Sequence, residues 1–106
     1  MHTLIVFRHL EPIEPLRERI ESLLGKLDRH FPNDVEARVV VYSEKHRAGV
    51  EIIVNAPTAT LSARAETDDF ASSLEQAHAA LTRRIKRYRE KMHAHRGARH
   101  TASFGA

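Results

Sequence analysis

A chain of 106 residues supports one domain with a single modest core and excludes a two-domain arrangement. Hydrophobic residues make up 42% and charged residues 29%, a globular composition, and the absence of cysteine excludes disulfides, thiolate metal sites and a cysteine nucleophile. The net charge of +3 is unevenly placed: residues 1–82 hold nine bases and thirteen acids, whereas residues 83–106 hold eight bases and one acid, Glu90. An acidic body with a basic end points to nucleic acid or another anionic surface. No apolar run approaches the roughly 18 residues of a membrane span, and the start, Met1 to Phe7, lacks a basic n-region and a small-residue cleavage site. The expected address is the cytoplasm.

Residues 3–9, Thr-Leu-Ile-Val-Phe-Arg-His, form a short β-branched and aromatic run closed by Glu11-Pro12, which predicts a first strand. From Pro15, the residues Leu16, Ile20, Leu23, Leu24, Leu27 and Phe31 recur at steps of three and four and predict a helix. Pro15 suits its first turn, and Pro32 is expected to stop it after Phe31. Val35, Ala37, Val39 and Val41 alternate with Glu36, Arg38, Val40 and Tyr42, the period of a strand. A polar connection over residues 43–49 leads to a strand at 50–55, and Asn55-Ala56-Pro57-Thr58 is a turn signal before a further strand at 60–66. These three strands predict an antiparallel meander.

At Thr67-Asp68-Asp69 a capping oxygen and two carboxylates favour a helix start. Phe70, Leu74, Ala77, His78, Leu81, Ile85, Tyr88 and Met92 follow one stripe of that helix, and Gly97 is expected to end it. The order is β-α-β-β-β-α, an α+β two-layer sandwich with two helices on one face of a four-stranded sheet. The expected division is one domain over residues 1–96 and a flexible C-terminal tail over 97–106.

Catalysis finds little support in these residues. The acids sit at helix starts and on wet strand faces, and Ser72-Ser73, near His78, lie early in a helix without the exposed turn that a nucleophilic serine needs. His93 and His95 are two apart, which on a helix points the rings about 200° apart; with His100 they meet only in a tail lacking carboxylates, so no metal site is expected. His78, on the apolar stripe, reads as a partly buried, hydrogen-bonded core residue. No Walker loop or G-x-G-x-x-G occurs, so no nucleotide cofactor or small-molecule substrate is implied. Tyr42 alone offers an aromatic on the central strands, which argues against base stacking of the RNP type.

The basic end of the second helix remains. With Leu81, Ile85, Tyr88 and Met92 facing the sheet, Arg83 and Arg87 lie one turn apart on the outer side with Lys86 beside them, Arg84 and Lys91 on one flank and Arg89 on the other. Lys26 and Arg29, off the apolar stripe of the first helix, join this surface if the helices pack side by side. A solvated helix face normally mixes charges, and seven bases among Arg83 to Arg96 with one acid do not. Arginines held at helical spacing neutralise several phosphates at once.

Three stretches carry a resemblance: Pro15-Leu16-Arg17-Glu18-Arg19-Ile20 continuing into Gly25-Lys26-Leu27-Asp28-Arg29-His30-Phe31; Leu61-Ser62-Ala63-Arg64-Ala65-Glu66-Thr67-Asp68-Asp69-Phe70; and Leu81-Thr82-Arg83-Arg84-Ile85-Lys86-Arg87-Tyr88-Arg89-Glu90-Lys91. In this order and spacing, over residues 3–92, the chain resembles the ribosome hibernation promoting factor and ribosome-associated inhibitor A family, also named sigma-54 modulation proteins. The resemblance implies a double-stranded-RNA-binding-domain-like fold seated in the decoding channel of the small ribosomal subunit. There the family blocks messenger and transfer RNA by occupancy, without chemistry. It maps basic rRNA-binding positions onto Lys26, Arg83, Arg87, Arg89 and Lys91, to which the ridge reading adds Arg29, Arg84 and Lys86. Many relatives carry bases where this chain has Leu23 and Ala80, and long members append a dimerisation domain for which this chain has no room. The expected partner is 16S ribosomal RNA; the older family name suggests an alternative, a protein-interaction module acting on a transcription or phosphotransfer factor.

Overall fold

The computed structural model describes residues 1–31 and 34–105, with side chains described through Met92. The elements follow the expected order: β1 (His2–Arg8), α1 (Glu14–Asp28), β2 (Glu36–Glu44), β3 (Arg47–Asn55), β4 (Thr60–Thr67) and α2 (Phe70–Gly105). The sheet has spatial order β1-β2-β3-β4. β1 runs parallel to β2 because a whole helix intervenes, whereas β2, β3 and β4 form the antiparallel meander.

Alternation along the strands puts Ala37, Val39 and Val41 of β2, Val50, Ile52 and Val54 of β3, and Ala63 of β4 on one face. Both helices cover that face. Leu16, Ile20, Leu23, Leu24 and Leu27 enter the core from α1, and Leu74, Ala77, Leu81 and Ile85 enter it from α2. Periodicities of two and of three-to-four residues thus meet in a single apolar layer. On the opposite face Tyr42, Gly49 and Glu66 share one row. The Tyr42 ring lies over Gly49, so closely that a Cβ there would fall within it, and its hydroxyl donates to Glu66 Oε2 at 2.8 Å.

Several boundaries differ from the sequence reading. Residues 43–49 are mostly strand: β2 continues to Glu44 and β3 starts at Arg47, leaving a two-residue turn. Lys45 and His46 both take left-handed backbone, with φ of 50° and 64°, the conformation usually assigned to Asn-Gly, so composition concealed the turn. α1 ends at Asp28, three residues before Phe31. The His30 and Phe31 N–H groups bond back to the Leu27 and Asp28 carbonyls at 3.0 and 3.1 Å, a tightened final turn. A residue before proline disfavours helix, so Phe31 already leaves it. α2 continues through Gly97 to Gly105. One glycine costs a helix about 1 kcal/mol, and the flanking Ala94, Arg96, Ala98 and Arg99 offset it.

The expected cap of α2 is present. Asp69 accepts from the Ser72 N–H at 2.7 Å and the Ser72 hydroxyl at 2.9 Å, and these bonds, the backbone one foremost, hold its carboxyl below the ordinary range. Ser73 is fully buried, and its hydroxyl donates to the Ala48 carbonyl at 2.6 Å, tying the first turn of α2 to β3. That bond commits Ser73 to structure.

Candidate nucleic-acid interface

The two helices lie side by side and point the same way. Arg19 of α1 pairs with Glu75 of α2 at 2.7 Å, and further along Arg89 Nη1 donates to His30 Nδ1 at 3.0 Å. Parallel packing sets the C-terminal turn of α1, where the partial negative charge of the free carbonyls favours cations, beside the middle turns of α2. Lys26 and Arg29 therefore meet the basic half of α2, as the sequence reading required. The electrostatics register this proximity. His30 is held below its ordinary pKa by burial first, then by Arg89 and Lys86. His78 is lowered chiefly by burial, with Lys26 and Arg19 adding to the effect and Glu75 opposing it.

Lys26, Arg29, Arg83, Arg84, Lys86, Arg87, Arg89 and Lys91 are all exposed. None forms an ion pair among the described residues. Two acids near the helix seam are engaged elsewhere: Glu75 with Arg19 at 2.7 Å and Asp28 with the Met1 ammonium at 3.3 Å. Helical geometry divides the cations into two flanks beneath a crest at Arg83. Toward α1 lie Lys86 and Arg89 with Lys26 and Arg29. Toward the edge strand β4 lie Arg84, Arg87 and Lys91, and Arg84 donates to the Ser62 carbonyl. Glu90 is the single acid on this surface.

Leu81 and Ile85 are fully buried, and Tyr88 and Met92 are half-buried. Thr58, in the turn between β3 and β4, bonds the Tyr88 hydroxyl at 2.7 Å and donates to Met92 Sδ at 3.7 Å. These bonds fasten α2 to the turn, while burial of Leu74, Ala77, Leu81 and Ile85 sets its rotation and the outward direction of the cations. Sequence reasoning placed Tyr88 on the core stripe but missed Thr58, whose role depends on where the turn lands in space. Leu23 is only 3% exposed and belongs to the core, so it presents nothing to a phosphate, and Ala80 is half-buried.

His78 is half-buried as expected; its Nε2 makes no hydrogen bond, while a hydrogen bond with the Leu23 backbone partly opposes the lowering of its pKa. Among the described residues no group of three His, Asp or Glu side chains is placed to hold a metal, and the side chains of His93, His95 and His100 lie outside those residues. No helix among the described residues is long and apolar enough to cross a membrane.

A four-stranded sheet with two parallel helices on one face defines the class of protein, and the exposed cations lie on the end of α1 and the middle turns of α2. Residues 4–93 match the family model described as sigma 54 modulation protein / S30EA ribosomal protein, and the chain belongs to that family. Similar proteins include the ribosome hibernation promotion factor of Lactococcus lactis, 33% identical over 88 residues, which cover 79% of this chain and 47% of that protein. The ribosome hibernation promoting factor of Pseudomonas putida is 27% identical over 84 residues, covering 79% of this chain and 82% of that protein. The chain thus spans about half the length of the Lactococcus relative. Among solved structures, the N-terminal domain of Thermus thermophilus Protein Y superposes with a TM-score of 0.75 at 27% identity, covering 83% of this chain and 99% of that one. A ribosomal subunit interface protein from Coxiella burnetii has the same fold, with a TM-score of 0.74 at 22% identity and coverage of 85% and 99%.

Proposed function

We propose that this protein is a ribosome hibernation factor that inhibits translation by occupancy. It docks the basic face of α1 and α2 on 16S ribosomal RNA in the decoding channel of the small subunit and excludes messenger and transfer RNA. Residues 1–96 form the ribosome-binding unit, and the last turns of α2, from Gly97 to Gly105, extend beyond it. The reading needs no cofactor, metal or catalytic group, and it operates in the cytoplasm, where ribosomes are. The names of the relatives, and membership of a family described by a ribosomal protein, support the partner.

The observation that carries the proposal is the set of eight exposed cations on one face, unpaired with carboxylates among the described residues. A surface of one sign costs self-repulsion and is relieved by a polyanion, with release of the polyanion's own counterions. A transcription or phosphotransfer factor as partner, the alternative that the older family name suggests, leaves that one-sided charge without an explanation.

The test is charge reversal. The double variant Arg83→Glu/Arg87→Glu should lose co-sedimentation with small ribosomal subunits while its circular dichroism spectrum stays native, because both side chains lie outside the core. Undiminished co-sedimentation, or a partner that survives nuclease treatment and moderate salt, would favour the protein-interaction alternative.

A further inference from the structure

The cationic surface has a structural sequel on its β4 flank. Where α2 overhangs the edge strand, a groove of about 730 Å³ runs between the two, with Leu61 and Tyr88 on its walls and Arg87 and Lys91 at its rim. Three features distinguish it from an accidental cleft. Its aromatic wall is fixed, because the Tyr88 hydroxyl is held by Thr58 at 2.7 Å and the ring cannot swing out without breaking that bond. Its far side is backbone. β4 is an edge strand, and the Ser62 carbonyl faces away from β3, since it accepts from Arg84. By the alternation of an antiparallel ladder, the N–H and C=O groups of Thr60 face the same way. Its rim is cationic: Arg84, Arg87 and Lys91 line it against the single carboxylate of Glu90.

We infer that this groove takes one unpaired nucleotide of a single-stranded RNA segment. The phosphate lies against Arg87 and Lys91, the base stacks on Tyr88, and the base edge meets the outward backbone groups of Thr60 and Ser62. The inference rests on the polyanion reading above and adds the kind of RNA that this flank selects. An A-form duplex keeps its base faces stacked inside the helix and offers the groove phosphate alone, whereas an unpaired base supplies a flat apolar face and a donor and acceptor edge together. Arg84, held on Ser62, closes one side of the groove and leaves Arg87 and Lys91 for the phosphate. The sheet offers no competing platform: the other tyrosine, Tyr42, is spread over Gly49 on the opposite face and bonded to Glu66 at 2.8 Å.

The chain contains two tyrosines and no tryptophan, so the ring resonances of Tyr88 and Tyr42 give a direct readout with an internal control. The full chain is titrated with an oligoadenylate hexamer, with AMP and with a twelve-base-pair RNA duplex. The hexamer should move the Tyr88 ring protons upfield and leave those of Tyr42 in place. Tyr88→Leu should weaken the hexamer about tenfold, with duplex affinity changed less than twofold. Ala59→Glu, which brings a carboxylate to the groove from outside the core, should have the same selective effect and keeps the test decisive if Tyr88→Leu unfolds. Arg83→Glu, on the crest, should weaken hexamer and duplex alike.

Hexamer binding without a Tyr88 shift, or equal losses for hexamer and duplex in both groove variants, would overturn the assignment. So would AMP binding as tightly as the hexamer, which would make the groove a site for free nucleotide. If the hexamer fails to bind while co-sedimentation with ribosomal subunits persists, the groove assignment falls and the docking face stands. If both fail, the polyanion reading falls with it.

Discussion

Ser73 and Tyr42 show how single side chains set the stability of this small domain. Ser73 is the buried polar residue of the core, and its bond to the Ala48 carbonyl at 2.6 Å fastens α2 to the sheet. Ser73→Ala should destabilise the fold by about 1–2 kcal/mol, because it leaves a buried carbonyl with one partner fewer; chemical denaturation measures this directly. Tyr42 makes a pH prediction. Burial first, and then the bond to Glu66, push its hydroxyl up to about 12 from an ordinary 10.0. Between these values the unfolded chain has lost a proton that the folded chain keeps, so stability should fall as pH rises from 10 to 12. Thermal melts across that range test it, and Tyr42→Phe should remove this part of the decline. Serine early in a helix could be read from the sequence as structural rather than catalytic. That it would reach Ala48 could not, since the partner is 25 residues away in the chain.

At the scale of elements, what was legible follows from periodicity and what was not follows from local backbone. The apolar stripes of α1, as far as Leu27, and of α2 face the core as read, and β2 keeps its alternation of faces, although Val40 and Tyr42 are buried on the second face as well. The β2–β3 turn was illegible because Lys45 and His46 accept left-handed backbone that their side chains disfavour. The same mismatch yields a prediction. Replacing Lys45-His46 by Asn-Gly, which suits that backbone, should stabilise the protein by about 1 kcal/mol, measured as a raised denaturation midpoint with an unchanged slope. No gain would mean that the turn residues are held by contacts of their own. The helix termini failed for a related reason: proline and glycine mark where a helix can stop, and α1 stopped before Pro32 while α2 passed Gly97.

For the whole molecule, the candidate site was half legible. Exposed cations at helical spacing can be read from the order of residues: all eight are exposed, seven on the helices and Arg29 at the C-cap of α1, with Arg87 turned from the outer side to the β4 flank. Their grouping into two flanks required the packing: parallel helices put Lys26 and Arg29 beside Lys86 and Arg89, and β4 at the sheet edge put Arg84, Arg87 and Lys91 over a groove. No periodicity in the chain reports which strand lies at an edge or which turn meets α2. The account therefore predicts a collective electrostatic property. Each cation that meets a phosphate releases counterions, so the logarithm of the binding constant should fall linearly with the logarithm of salt concentration, by about 0.7–0.9 per contact.

The most direct measurement is the affinity of the protein for small ribosomal subunits across a range of salt concentrations, for the wild type and for Arg83→Ala/Arg87→Ala. The expected result is a steep negative slope for the wild type and a slope shallower by about 1.4–1.8 for the double variant, with the fold unchanged. Binding that ignores salt, or a slope that the double variant leaves unaltered, would contradict the claim that this helical face is held by phosphates.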